Sequence, residues 1–247
     1  MHSPGNPETW FTPEVSDAGI SIDGYSVFRA DSKRRRSGGV TLYLHATLSI
    51  PTVLSDTTPA PFCDALWIQV PLRGSDSLLS VVYRWPSSPP EDDQFLIRTL
   101  EQLSFSYHFI QLLLVGDFNA PKAAWMELQR VESNGLFAAA LTEVVQQSAW
   151  TQYVVAVTRY RAGQLPSLLD SVITNERHFV DQRIINAPLG HSDHCVLTFG
   201  FICYWARNPE PQTWIRNFRR ADFSGMRIAL QQFKLGPASA ETCCLNT

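Results

Sequence analysis

Residues 110–116 read Ile-Gln-Leu-Leu-Leu-Val-Gly and run directly into Asp117-Phe118-Asn119. Nearly every side chain of this stretch is apolar on both faces of an extended chain. A strand of that kind has no place at a surface, so it predicts a strand inside a sheet system, covered above and below. The segment before it supports this. Ser87-Ser88-Pro89-Pro90-Glu91 has the order of a helix start: a serine cap, prolines in the first turn, then acids. A helix from Glu91 to Ser106 then feeds the buried strand.

Short apolar, β-branched runs elsewhere predict strands at Tyr25–Ala30, Val40–His45, Leu66–Val70, Leu79–Arg84, Gln152–Val157, Leu168–Thr174, Arg183–Ala187 and Cys195–Cys203. The polar run Ser32 to Ser37 followed by Gly38-Gly39 reads as a hairpin loop joining the first two. Residues 123–147 hold one or two helices, broken near Ser133-Asn134-Gly135. Strands dominate and come in pairs, which predicts an α+β fold: a four-layer sandwich of two packed β-sheets flanked by helices. A domain over 1–204 and a tail over 205–247 follow from the fading of this pattern after Tyr204, where Asn208-Pro209-Glu210-Pro211 reads as a linker.

Composition excludes several classes. With 45% hydrophobic and 17% charged residues, the chain is neither disordered nor fibrous. A net charge of −3 gives no overall basic field for nucleic acid. Only three of its 20 basic residues are lysines, however, and arginine is the side chain best suited to bidentate phosphate contacts. No run approaches the length of a membrane span, and Met1–Trp10 lacks the regions of a signal peptide, so no membrane partner is expected. Five cysteines without framework or zinc spacing indicate an intracellular, reducing location.

Three segments place polar groups where apolar strands end. Gly116-Asp117-Phe118-Asn119 puts a carboxylate and an amide two residues apart, on one side of the strand. Ser167-Leu168-Leu169-Asp170-Ser171-Val172-Ile173-Thr174 sets one acid in the middle of an apolar strand, which is costly unless that acid is paired. Gly190-His191-Ser192-Asp193-His194 begins at a turn and enters another strand. Each has a plain alternative. The first can be a turn, the second a buried acid satisfied by backbone amides, and the third a loop with a core histidine.

Taken in order, these blocks resemble the signatures of the endonuclease/exonuclease/phosphatase superfamily, which includes deoxyribonuclease-I-like and apurinic-site nucleases. Thr158-Arg159-Tyr160-Arg161, Leu168 to Asn175 and Tyr25 to Asp31 are similar, more narrowly, to endonuclease domains of non-LTR retrotransposons. The resemblance runs from about Glu8 to Phe201, and Asn217 to Phe223 resembles a connector toward a reverse transcriptase.

The resemblance implies hydrolysis of DNA phosphodiesters with Mg²⁺ or Mn²⁺. Glu8 and Asp193 would be acids on the metal side. Asp117 would orient or deprotonate the attacking water, and Asn119 and His194 would donate to the phosphate. Asp170 would orient His194, and Tyr83 would supply a hydroxyl. A nuclear role and fusion to a reverse transcriptase follow from the same family. The family's opening strands have no counterpart upstream of Glu8, so a domain lacking its first strands is expected. Two further readings stay open: a catalytically inactive relic of the fold, and a phosphoesterase for small phosphoesters. Arg34-Arg35-Arg36 reads as a hairpin tip or a phosphate contact, and Trp10, Trp85 and Trp125 as core or as base-stacking residues.

Overall fold

The structure, a computed structural model, describes residues 15–32, 38–48, 51–54, 64–72, 75–106, 111–123, 125 and 135–202. Of the two compact units into which the chain divides, 1–208 and 209–247, only the first contains described residues. Glu8, Trp10, Arg34–Arg36 and the expected connector lie outside them.

In chain order the strands are β1 (Tyr25–Ala30), β2 (Val40–His45), β3 (Thr52–Val53), β4 (Asp64–Leu72), β5 (Ser75–Tyr83), β6 (Gln111–Asp117), β7 (Thr151–Gln152), β8 (Asp170–Thr174), β9 (Val180–Pro188) and β10 (Cys195–Phe201). Helix α1 is Pro90–Ser106 and α2 is Leu136–Gln147. Six strands form one sheet in the order β3-β4-β5-β6-β8-β7, so the doubly apolar strand β6 is interior, as its sequence requires. It pairs in parallel with β5 and antiparallel with β8. The parallel step needs a crossover, and α1 supplies it.

Side-chain alternation divides this sheet into two faces. One buries Trp67, Leu78, Val82, Leu112, Leu114 and Ile173 against Leu96 and Leu100 of α1 and Leu141, Val144 and Val145 of α2. On the opposite face, Ile68, Val70 and Leu79 pack against Leu44 of β2, and Val172 packs against Val180 of β9 and Leu197 of β10. Two antiparallel hairpins, β1-β2 and β9-β10, therefore form a second β layer over the six-stranded sheet. The fold class is α+β, with two packed β layers. Both α-helices among the described residues flank the larger sheet. No described helix is long and apolar enough to cross a membrane.

Two local expectations change. The strand expected over Gln152–Val157 shrinks to Thr151–Gln152 because Gln152 folds back onto its own chain. Its Nε2 donates to Val154 O at 2.7 Å, and its Oε1 accepts from Val154 N, replacing ladder bonds. Asp170 is the first residue of β8 rather than its middle, which places it at the end of an interior strand.

Candidate active site

Register brings Asp64, Tyr83, Asp117 and Asp170 into one row across four neighbouring strands. Asp64 pairs with Tyr83, Tyr83 with Asp117, and Asp117 with Asp170. Residues directly opposite share a face, so the row projects toward the hairpin layer at one end of the sheet. The turn of hairpin β9-β10 delivers Asp193 and His194 to the same end. His194 Nδ1 lies 2.9 Å from Asp170 Oδ2, and Nε2 lies 3.9 Å from Asp117 Oδ2. Asp117, His194 and Asp193 are buried, while Asp170 is slightly more open.

The segment Thr158–Tyr160 ties these layers together. Thr158 O accepts from Cys195 N at 2.7 Å, and Tyr160 N donates to Asp193 O at 2.8 Å. The fully buried Thr158 hydroxyl accepts from both Leu169 N and Asp170 N at 3.2 Å, fixing the start of β8. Arg159 Nε donates to Asp193 Oδ2 at 3.0 Å.

Electrostatics are strained at Asp117. Burial, and then the neighbouring Asp170 charge, push its carboxyl from an ordinary 3.8 to about 7, against the smaller pulls of His194, the Asn119 amide and Arg159. Burial opposes charge on His194. The Asp170 hydrogen bond and charge, with those of Asp117 and Asp193, outweigh it and raise the imidazole above its usual range.

Asn119 follows Asp117 at a left-handed φ of 45°. Its amide N–H donates to Asp117 Oδ1 at 2.8 Å, and its side-chain Nδ2 donates to Arg84 O at 2.7 Å. Tyr83 is buried among Val40 and Leu66, with its ring edge-on to Trp85 at 6.1 Å. The Trp85 indole in turn donates to Asp64 Oδ2 at 3.3 Å, and Trp125 packs against the helix-side core. Asp117, Asp170, Asp193 and His194 thus converge, with Tyr83 and Asn119 beside them; Glu8 is outside the described residues.

Sequence reasoning missed three contributors. Thr158 and Arg159 enter the sequence reading only within a family phrase, and Arg84 only as the last residue of the expected strand Leu79–Arg84. Arg84 is buried and engages all three guanidinium nitrogens: Nε and Nη2 each reach Asp93 at 2.7 Å, and Nη1 donates to Asn119 O at 3.1 Å. Its guanidinium also lies 4.0 Å from the centre of the Phe137 ring. Helix α1 is thereby clamped to the Asn119 loop. Only the acid at the third position after the prolines hinted at this, and a first-turn acid has a sufficient explanation in the helix dipole. Arg84→Met should destabilise the fold by about 3 kcal/mol, because it strands the Asp93 charge. In urea titrations, Asp93→Asn added to that variant should recover part of the loss; a single variant as stable as the parent would remove the clamp from this account.

The acid and imidazole atoms of Asp117, Asp170 and His194 lie within 4.8 Å of one another, close enough to share one cation. Two carboxylates pressed together in a buried site, one of them driven toward neutrality, fit a bound cation well.

Comparison with known proteins bears on the fold. Residues 78–198 match the family model described as endonuclease-reverse transcriptase. The endonuclease domain of TRAS1, a telomere-specific non-LTR retrotransposon, superposes with a TM-score of 0.55 at 17% identity, covering 73% of this chain and 81% of that one. The 3′ phosphatase NExo from Neisseria, solved with a product DNA hairpin, gives 0.55 at 13% identity, over 79% and 87%. No curated protein matches the chain. The chain has the fold of the endonuclease/exonuclease/phosphatase superfamily.

Proposed function

We propose that this chain is a metal-dependent phosphodiesterase that nicks DNA, as a retrotransposon endonuclease does at its target. The observation that carries the reading is the Asp170–His194–Asp117 relay at one end of the sheet. Its Nδ1–H directed to Asp170 leaves His194 Nε2 facing Asp117. The raised imidazole favours the protonated ring, whose Nε2–H is a charge-assisted donor to a phosphate oxygen as negative charge builds there. Asp117, with Oδ1 held by the Asn119 amide, presents Oδ2 as the acceptor for a proton from the attacking water. The water oxygen then bonds to phosphorus as the ester P–O bond breaks; the water's proton passes to Asp117, and the leaving oxygen departs with the bonding pair and takes a proton from solvent.

A divalent cation, Mg²⁺ or Mn²⁺, supplies charge neutralisation at the phosphate when bound. The Asp117 and Asp170 carboxylates would hold it, and Glu8 is the further acid expected of the family. The DNA hairpin on the NExo phosphatase and the nuclease character of the TRAS1 domain support DNA as the substrate class.

Purified protein should nick supercoiled plasmid with Mg²⁺ and stop in EDTA, and His194→Ala should lower the rate by at least about a hundredfold, the scale of a lost transition-state donor. Release of inorganic phosphate from 3′-phosphorylated DNA without nicking would replace the endonuclease reading by a phosphatase one. Folded protein with neither activity would leave a relic of the fold.

A further inference from the structure

The ion pair between Arg159 and Asp193 is the part of the cluster this mechanism leaves unused. It contrasts with the pair between Arg84 and Asp93. Arg84 spends all three guanidinium nitrogens on Asp93 and main-chain oxygens, as a structural arginine should. Arg159 commits Nε alone: among the described residues its side chain makes one hydrogen bond, to Asp193 Oδ2. The Nη1 and Nη2 hydrogens are left over on a side chain that is only 19% exposed.

Arg159 is also held firmly. Its N donates to Ser167 O at 3.0 Å, its O accepts from Ser167 N at 3.1 Å, and it bridges His194 on the other side. Its charge reaches the centre of the site, since it counters the rise of the Asp117 carboxyl. Asp193 is correspondingly engaged. It is buried, gives Oδ2 to the guanidinium, keeps an Oδ1 with no hydrogen-bond partner among the described residues, and stands outside the Asp117–Asp170–His194 group. A guanidinium anchored by one nitrogen presents a pre-organised fork to a tetrahedral anion.

We propose that Arg159 is a phosphate-binding residue of this site, its terminal nitrogens holding a non-bridging oxygen of the substrate phosphate, and that Asp193 is the positioning residue that aims it. The proposal rests on the phosphodiesterase reading and adds a second phosphate donor to that of His194.

The test is a titration of the full chain with inorganic phosphate in the presence of Mg²⁺, followed by ³¹P NMR. Arg159→Met alone would strand the buried Asp193 charge, so the informative variant is Arg159→Met with Asp193→Asn, which removes both charges together. It should keep its unfolding midpoint and raise the phosphate Kd about tenfold or more, the scale of one lost charge-assisted bond. Arg159→Lys, which lacks the fork, should show most of the same loss. Asp193→Asn alone should lose less, and its effect should vanish in the Arg159→Met background. Phosphate binding by the double variant equal to that of the parent would overturn the role of Arg159 and leave the phosphodiesterase reading intact. A parent that binds no phosphate would overturn both. Weakened Mg²⁺ binding, without phosphate, in Asp193→Asn but not in Arg159→Lys would make Asp193 a metal ligand and overturn its positioning role.

Discussion

Asp117→Asn is expected to stabilise the protein and abolish the proposed hydrolytic activity. The folded state raises this carboxyl from 3.8 to about 7, chiefly by burial and then by the charge of Asp170. Between those pH values the folded chain keeps a proton that the unfolded chain has lost. The contribution is therefore fully present below about pH 4 and is lost as pH rises through 7. An asparagine is neutral throughout and retains a carbonyl oxygen able to accept the Asn119 amide. In EDTA, parent and variant should unfold alike near pH 4. The variant should gain over the parent up to pH 7 and hold a constant advantage above it. At about 1.4 kcal/mol per pKa unit, the displacement bounds that advantage at about 4 kcal/mol. Urea denaturation at pH 4, 6 and 8 checks it, and a pH-independent difference would show that burial does not control this group. Activity should fall at least about a thousandfold, because the amide accepts no proton from water.

Gly116→Ala should have an effect of similar size in the opposite direction. Gly116 sits at φ 143° inside β6, opposite Val82 of β5. An added Cβ would lie 1.8 Å from Val82 O and within 3 Å of Val82 C and N. All three are backbone atoms of a central strand, which no rotamer change can move aside. Backbone strain of about 1–3 kcal/mol and overpacking of about 1–3 kcal/mol act together. A loss on the order of 4 kcal/mol is expected in urea titrations, with Asp117 displaced from its row. Gly19→Ala is the control, since its Cβ meets only Ser16 Oγ at an ordinary 3.8 Å. If Gly116→Ala unfolds at the same urea concentration as that control, β5 and β6 are not held as close as described.

Legibility of the fold from sequence varied with the range of the interactions involved. Strands β1 and β2 fall where Tyr25–Ala30 and Val40–His45 were expected, residue for residue, because alternation and a closing Gly-Gly pair are local signals. The interior position of β6 was legible from its two apolar faces. Strand β7 was overestimated because the competitor was one glutamine side chain, which periodicity does not register. At the site, the acids and the histidine announced themselves by interrupting apolar runs. The residues that hold them did not. Arg84 meets Asn119 across 35 positions and Thr158 meets Asp170 across 12, contacts decided by strand order rather than spacing. Arginine 159 looks like an ordinary loop cation until its partner at 34 positions' distance is seen.

The chemistry is divided between two layers that fold by different contacts. The carboxylates of Asp117 and Asp170 ride on the six-stranded sheet, while the imidazole rides on the turn of a separate hairpin, reached through Thr158–Tyr160. The two meet across the core that packs Val172 of the sheet against Val180 and Leu197 of the hairpin, and the relay exists only where that core is closed. The imidazole–carboxylate bond therefore works as a latch whose closure is itself the assembled site. Competence then becomes a question of mating two finished surfaces, separable from whether either surface has formed.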